Sequence, residues 1–241
     1  MTAPALAVAA ALFVAAPAGG LLQEGPAGPV TPAGPATPAS QEAAAVVPVL
    51  LVPGWADTAE DVAVLGSRLR VAGWPRDHVL AVTFAHPVGS NREHAREIAA
   101  AVDSLLARSG AAKVDVVAHS MGGLATRVYL REHAGKVRRV VFLATPHQGT
   151  WAAYFAFGEA RGEMLPGSDF LRELNAGPPV PPGVEAFTVR TLLETHVVPG
   201  ESATLPGVPG WTVCCDTHWS LKRDPAVFEV VENFLRHGVT P

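Results

Sequence analysis

The sequence predicts an α/β fold in which a mostly parallel sheet of about six strands carries helices on both faces. Short apolar runs rich in β-branched residues alternate along the chain with segments whose apolar residues have helical spacing. Strands that alternate with helices in this way are typical of parallel βαβ architecture. The length of 241 residues is sufficient for one such domain with a substantial core.

The first 45 residues are expected to precede this domain. Residues 1–18 are apolar and uncharged and end in a small-residue segment, Ala16-Pro17-Ala18, which predicts a secretory signal peptide although no Lys or Arg precedes the apolar run. A signal anchor is the alternative, but the Ala, Gly and Pro content makes a weak membrane span. Residues 19–45 are rich in Pro, Ala and Gly and predict a stiff linker. We therefore expect a secreted protein with a folded domain at residues 46–241.

The first strand is predicted at residues 46–52, a continuous apolar run that ends at a Pro-Gly pair, as a buried parallel strand does. A helix follows, because Val62, Leu65 and Leu69 recur at helical spacing. Residues 79–84 predict the second strand. The capping-box pattern of the next segment, SNRE at residues 90–93, then predicts the start of the second helix.

The second half of the domain continues the alternation around one interruption. Four further strands are predicted, at residues 114–118, 137–143, 186–193 and 211–215. A third helix is expected from Leu124 to His133, and a last helix begins at Asp224-Pro225 and ends at Gly238. Between them, residues 149–183 form an excursion that is aromatic at its start and rich in proline at its end.

The net charge and the two cysteines limit which partners and which disulfide bonds the sequence predicts. The formal net charge is −4 and no basic stripe exists, which disfavours nucleic acid as a partner. The only two cysteines, Cys214 and Cys215, are adjacent. Because consecutive Cα atoms lie about 3.8 Å apart, below the usual disulfide range, we expect two free thiols that face opposite sides of a strand.

The turn from the third strand into the third helix, in the segment VDVVAHSMGG, carries a candidate nucleophile. Ser120 stands at the carboxyl end of the strand, where parallel sheets bind their ligands. Ala118 and Gly122 flank it at two residues on either side, the spacing of a nucleophile elbow with Ala in place of the first Gly. The alternative is a helix N-cap serine. We expect His119 to pack or to line the pocket and not to act as the base.

The segment AHSMGGL resembles that of the α/β-hydrolase lipases, and its Ala-x-Ser-x-Gly form resembles that of the small secreted bacterial lipases. Three further segments support the resemblance: VLLVPGW at residues 49–55, ATPHQGT at 144–150 and MLPGSDFL at 164–171. It extends over nearly everything from Val49 to Leu235. The resemblance implies an α/β-hydrolase fold and the hydrolysis of carboxylic esters through an acyl-enzyme, without a cofactor. The spacing of His and Asp residues predicts no metal site.

The order expected in this fold is serine, then acid, then histidine. His218 lies just after the last strand in a loop and is our candidate for the base, whereas His237, in the last helix, is interpreted as a solvated or capping residue. Glu194 follows the penultimate strand at the position where the family usually carries Asp, and is our candidate for the acid. Glu201 and Asp216 remain as alternatives.

The oxyanion formed during acyl transfer needs two backbone donors. One is the N–H of Met121, the residue after the nucleophile. The resemblance implies the N–H of Trp55 as the second, although this chain has Pro53 where lipases usually have His. The position of Trp55 also makes it a candidate substrate contact.

Aromatic residues at the start of the excursion are candidates for the acyl-binding surface: Trp151, Tyr154, Phe155 and Phe157. They form an acyl-binding wall or a small flap, or else they only pack on the sheet. We expect a monomer that acts on a lipid or small-molecule ester, with a lipid–water interface as a further partner. A polyester hydrolase, an acyltransferase and a non-catalytic secreted binding protein are alternatives that the sequence does not separate.

Overall fold

The computed structural model describes residues 46–239 and contains a six-stranded sheet in which every pair of neighbours is parallel. The strands are β1 (Val49–Val52), β2 (Val79–Ala81), β3 (Val114–His119), β4 (Val137–Leu143), β5 (Glu185–Leu193) and β6 (Gly210–Thr217). Their order across the sheet is β2-β1-β3-β4-β5-β6. The predicted signal peptide and linker lie outside the described residues.

Helices cover both faces of this sheet, as predicted. They are α1 (Ala63–Val71), α2 (Asn91–Ser109), α3 (Met121–His133), α4 (Ala160–Met164), α5 (Asp169–Asn175) and α6 (Pro225–His237). In β1, Leu50 and Val52 belong to the core that α2 and α3 cover, whereas Val49 and Leu51 belong to the core beneath α1 and α6. This alternation follows from the two-residue period of a strand. Within residues 46–239, no helix has the length and hydrophobicity that a membrane crossing requires.

Two predicted strands are longer than the observed ones. The first begins at Val49 and not at residue 46, because Pro48 has no N–H to donate and only its carbonyl joins the sheet, accepting from the Asp115 N–H at 2.8 Å. The second ends at Ala81, although Val82 still donates to the Leu51 carbonyl at 3.0 Å. The apolar residues beyond the strand ends extend the core without continuing the sheet.

The prediction of a capping box at the start of α2 was wrong. The Ser90 hydroxyl does accept from the Arg92 N–H at 3.1 Å, but the acid that completes the cap is Glu163 from the excursion and not Glu93. Glu163 accepts from the Ser90 hydroxyl and from both the backbone and the side-chain nitrogen of Asn91, each at 2.7 Å. A tertiary contact replaces the local one and ties α4 to the start of α2.

The excursion folds over the carboxyl ends of the strands. Its elements are the 3-10 helix Trp151–Phe155, α4 and α5, and they share a small apolar core with Met121 and Leu124 of α3. The proline-rich end is held by Arg127, a buried side chain that donates to the carbonyls of Pro179 and Leu174 and to the side chain of Asn175. The excursion therefore forms one wall beside the strand ends.

Cys214 and Cys215 form a disulfide with each other, which corrects the expectation of two free thiols. That expectation assumed a regular strand in which neighbouring side chains face opposite sides. The backbone of Cys215 instead has a φ of +76°, and the pairing of β5 with β6 shifts its register between Thr191 and Leu193. The strand loses its alternation at this point, so both sulfur atoms lie on one side.

Candidate active site

Ser120 is the single residue between β3 and α3, and its backbone has a conformation that L-residues rarely adopt, with φ +53° and ψ −130°. The Ser120 N–H donates to the carbonyl of Leu143 in β4 at 2.8 Å, which fixes the turn. Although Ser120 occupies the N-cap position of α3, its hydroxyl makes no capping hydrogen bond. The side chain is instead directed at His218.

Small residues are needed around Ser120 because a side chain at these positions would overlap neighbouring atoms. A Cβ atom on Gly122 would lie 2.1 Å from the Pro53 carbonyl oxygen, and one on Gly123 would lie 2.0 Å from the Thr145 hydroxyl oxygen. Helix α3 can therefore start directly behind the serine only because these two positions lack a side chain. The loop after β1 and the helix approach each other without space for a methyl group.

We expect Gly122→Ala to lower the free energy of unfolding by about 1–3 kcal/mol, because the new methyl group must displace backbone. Thermal or denaturant unfolding measures this. Gly135→Ala is the matched control, since a Cβ there meets no atom within 4 Å. Equal stabilities of the two variants would contradict this description of the turn.

His218 and Glu194 complete a hydrogen-bonded chain with Ser120. His218 follows the end of β6 and Glu194 follows the end of β5, so both lie at the same edge of the sheet as Ser120. The Nε2 atom of His218 is 2.9 Å from the Ser120 Oγ, and its Nδ1 atom is 3.0 Å from Glu194 Oε2. The side chains of His218 and Glu194 are 2% and 3% exposed, so bulk water hardly competes for these contacts.

Both carboxylate oxygens of Glu194 are used. Oε1 accepts from the backbone N–H groups of His196 at 2.8 Å and Val197 at 3.1 Å, while Oε2 faces His218. Burial by itself would raise the pKa of Glu194, but the hydrogen bonds from His218 and from the two amides outweigh it and leave the pKa below its ordinary value. Glu194 is therefore ionised at neutral pH.

The alternative acids and the alternative base lie elsewhere. Glu201 is 77% exposed and faces Arg190 at 3.6 Å. The Asp216 carboxylate accepts from the Ser220 hydroxyl at 2.7 Å, and His237 is exposed at the end of α6. The structure therefore brings Glu194 and His218 to Ser120, gives Glu201 and Asp216 other partners, and leaves His237 exposed at the end of α6.

His119 is buried behind the site and does not face the serine hydroxyl. Its Nε2 atom is 3.1 Å from the backbone carbonyl oxygen of His218. Burial, the largest effect, lowers the pKa of His119 to about 4, so its ring is neutral at pH 7. This placement agrees with the expectation that it packs at the site.

The two expected oxyanion donors flank Ser120. Met121 is the first residue of α3, where the helix dipole favours negative charge. Trp55 follows Gly54, and a Cβ on Gly54 would lie only 3.0 Å from the Ser120 Cβ. Among residues 46–239, neither the Met121 nor the Trp55 backbone N–H donates to a turn, cap or side-chain acceptor. Both amides are therefore free to bind an oxyanion.

A cavity of about 360 Å³ opens over Ser120. Its wall is mainly apolar and includes Trp55, Ala153, Phe155, Ala156, Met164 and Trp219. Of the predicted substrate contacts, Trp55 and Phe155 line it. Trp151 and Tyr154 lie outside its lining and stack on each other with ring centroids 6.0 Å apart. Phe155 is 93% exposed, so the aromatic segment forms an apolar surface beside the cavity and does not pack on the sheet.

One group of side chains has the composition of a metal site, which sequence spacing did not predict. Glu194, His196 and His218 each offer a ligand atom, and these atoms lie within 4.8 Å of one another. Glu194 and His218 already use their facing atoms in the hydrogen-bonded chain. A divalent cation at this place would therefore compete with the contact between His218 and Glu194.

Three polar residues near the site were missed from the sequence: Asp57, His196 and Lys222. Asp57 lies two residues after Trp55, His196 two residues after Glu194, and Lys222 four residues after His218. Their closeness to candidate residues along the chain is the only signal that could have found them.

The match to a family model assigns the chain to a class: residues 47–205 match the model of the α/β-hydrolase fold, and the chain belongs to this family. Similar solved structures include the mature lipase BlEst2 from Bacillus licheniformis, with a TM-score of 0.69 and 18% identity over 83% of this chain and 96% of the other. Lipase B from Aspergillus fumigatus has a TM-score of 0.66 and 20% identity over 79% of this chain and 52% of the other. A Listeria innocua protein has a TM-score of 0.63 and 16% identity, over 81% and 95%. At these identities the structures show the same fold.

Proposed function

We propose that this chain is a secreted, monomeric serine hydrolase that cleaves carboxylic esters, in particular acylglycerols or other lipid esters, through an acyl-enzyme on Ser120. One observation carries the proposal: Ser120, His218 and Glu194 form an unbroken hydrogen-bonded chain with spacings of 2.9 and 3.0 Å. A nucleophile, a base that contacts it, and an acid that orients the base are the parts that nucleophilic acyl transfer requires.

In the first half of the reaction, the Ser120 oxygen attacks the ester carbonyl carbon while His218 Nε2 takes the hydroxyl proton. Glu194 holds the proton on His218 Nδ1 and stabilises the imidazolium that forms. The Met121 and Trp55 N–H groups bind the carbonyl oxygen as it gains negative charge. His218 then returns the proton to the leaving alcohol, the carbon–oxygen bond breaks, and an ester of Ser120 remains.

In the second half, water takes the place of the alcohol. His218 removes a proton from the water as it attacks the acyl-enzyme, and the same two amides hold the oxyanion. The proton then passes to the Ser120 oxygen, and the carboxylic acid leaves. The protein begins and ends the cycle in the same protonation state, with no cofactor.

The surroundings of Ser120 support an apolar acyl group as the substrate part that binds in the cavity. The wall is mainly apolar, and its apolar part is formed by aromatic, alanine, proline and methionine side chains. Outside it, Trp151, Tyr154 and Phe157 are each more than half exposed. Exposed apolar surface beside a cavity is suited to contact with an aggregated lipid. We therefore propose action at a lipid–water interface.

The experiment is the hydrolysis of soluble short-chain and emulsified long-chain p-nitrophenyl esters by the purified chain. We expect turnover of both, with the higher rate per enzyme on the emulsion. Turnover of the soluble ester alone would make the protein an esterase without interfacial action. Failure on every ester by a folded protein would contradict the proposed function and favour a non-catalytic binding protein.

A further inference from the structure

Behind the proposed catalytic residues lies a buried ion pair that the mechanism above does not use. The Lys222 ammonium is 2.6 Å from Asp57 Oδ2, and the two side chains are only 1% and 7% exposed. The pair joins the loop after β1, which carries Trp55, to the segment after β6, which carries His218. Removing two charges from water costs free energy that their pairing often does not fully offset, so this contact needs an explanation.

His119 connects this pair to His218. Its Nδ1 atom is 3.5 Å from the same oxygen of Asp57, and its Nε2 atom is 3.1 Å from the His218 carbonyl oxygen. Gly54 allows this close packing, because a Cβ there would lie 3.2 Å from His119 Nδ1 and 3.4 Å from Asp57 Oδ2. The contacts therefore run from Lys222 through Asp57 and His119 to the backbone of His218, although the buried Nδ1 atom of His119 has no hydrogen-bond partner among the described residues.

The chemistry of the acceptors determines the tautomer of His119. A carbonyl oxygen can only accept, so the hydrogen bond to His218 requires a proton on Nε2 of His119. Because burial lowers the pKa of His119 to about 4, the neutral ring then has a lone pair on Nδ1. This lone pair faces the Asp57 carboxylate, and the two repel each other unless a cation neutralises the carboxylate. The Lys222 ammonium supplies that charge.

We propose that Lys222, Asp57 and His119 are positioning residues that keep His119 in its Nε2–H tautomer and thereby hold His218 against Ser120. Without the ammonium, the Asp57 carboxylate draws the His119 proton to Nδ1. Nε2 then becomes an acceptor facing an acceptor, and the contact with the His218 carbonyl is lost. The base moves relative to the nucleophile, and a displacement of about 1 Å can cost about 100-fold in rate.

This inference rests on the proposed function, and the test separates the two. The measurement is the rate constant for modification of Ser120 by a fluorophosphonate, with kcat and KM for a soluble ester. We expect Lys222→Met to lower the modification rate and kcat about 100-fold with little change in KM. Adding Asp57→Asn to Lys222→Met should restore most of the rate, because the carboxylate that changes the tautomer is gone.

Two variants at position 119 test the same contact without altering a charge. His119→Phe removes the donor to the His218 carbonyl and should slow the modification about 100-fold, whereas His119→Gln can still donate and should retain most of the rate. Arg138→Met is the matched control for loss of stability. Arg138 forms an ion pair with Asp115, a fully buried carboxylate near the amino end of β3, so its loss should reduce stability and leave the rate unchanged.

Wild-type rates in folded His119→Phe, or a Lys222→Met/Asp57→Asn protein no faster than Lys222→Met, would overturn the positioning role. If Lys222→Met does not fold, the two His119 variants decide, and the rate of the double variant is compared with that of the wild-type protein, to which it should be close. If the wild-type protein itself does not react with the fluorophosphonate, the proposed function is wrong, and this inference is wrong with it.

Discussion

Ser120→Ala is expected to lower kcat for ester hydrolysis by about 10⁴-fold or more. The variant keeps a residue that fits the turn but removes the oxygen that lies 2.9 Å from His218 Nε2. Without it no acyl-enzyme forms, and only the oxyanion donors and the cavity remain to accelerate direct attack by water. Such residual catalysis is typically about 10³–10⁴-fold over water. The measurement is the steady-state hydrolysis of a soluble p-nitrophenyl ester.

Ser104→Ala provides the matched control, since Ser104 is exposed on α2 and the same atom is removed away from the site. Its activity should equal that of the wild-type protein. If folded Ser120→Ala kept more than a tenth of the wild-type activity, a different nucleophile would have to be sought.

Glu194→Gln is expected to lower kcat by about 10⁴-fold through a wrong tautomer of the base. Oε1 of Glu194 accepts from two backbone amides, so the amide oxygen of the glutamine takes that place and its NH₂ group faces His218 Nδ1. Nδ1 must then accept a hydrogen bond, so the imidazole proton moves to Nε2, the atom that faces the serine hydroxyl. The base can no longer take the Ser120 proton. Comparison of kcat with the wild type measures the effect.

Glu194→Asp and Glu201→Gln make this test specific to charge and position. The aspartate keeps the carboxylate and the tautomer and should lose much less activity, because only the reach of the side chain changes. Glu201 is exposed and pairs with Arg190, so its neutralisation should have no measurable effect on kcat. A larger loss in Glu201→Gln than in Glu194→Gln would transfer the role of the acid to Glu201.

The fold could be predicted because its signals are local. Alternating apolar runs and helical spacing indicate which residues each element buries, and β4 has the predicted bounds of Val137–Leu143. The prediction of a capping box failed because a distant group replaced a local one. Glu163 lies 73 residues from Ser90 and still completes the cap of α2, and no pattern within the α2 segment could show this.

The candidate site divides in the same way. The order of elements places the carboxyl ends of β3, β5 and β6 at one edge, which pointed to Ser120 and His218, and the resemblance to the lipases singled out Glu194 among the acids that follow β5. The contact of Lys222 with Asp57 joins residues 165 positions apart and depends on packing behind the site. The disulfide depends on a single positive φ at Cys215. Neither is a property of a periodic pattern.

The central claim is that Ser120 is activated by His218 and Glu194, and covalent labelling tests it most directly. A fluorophosphonate should modify the wild-type protein once, and mass spectrometry of its peptides should locate the adduct at Ser120. Under the same conditions Glu194→Gln should be labelled far more slowly. An unlabelled wild-type protein, or an adduct at any other hydroxyl group, would contradict this account.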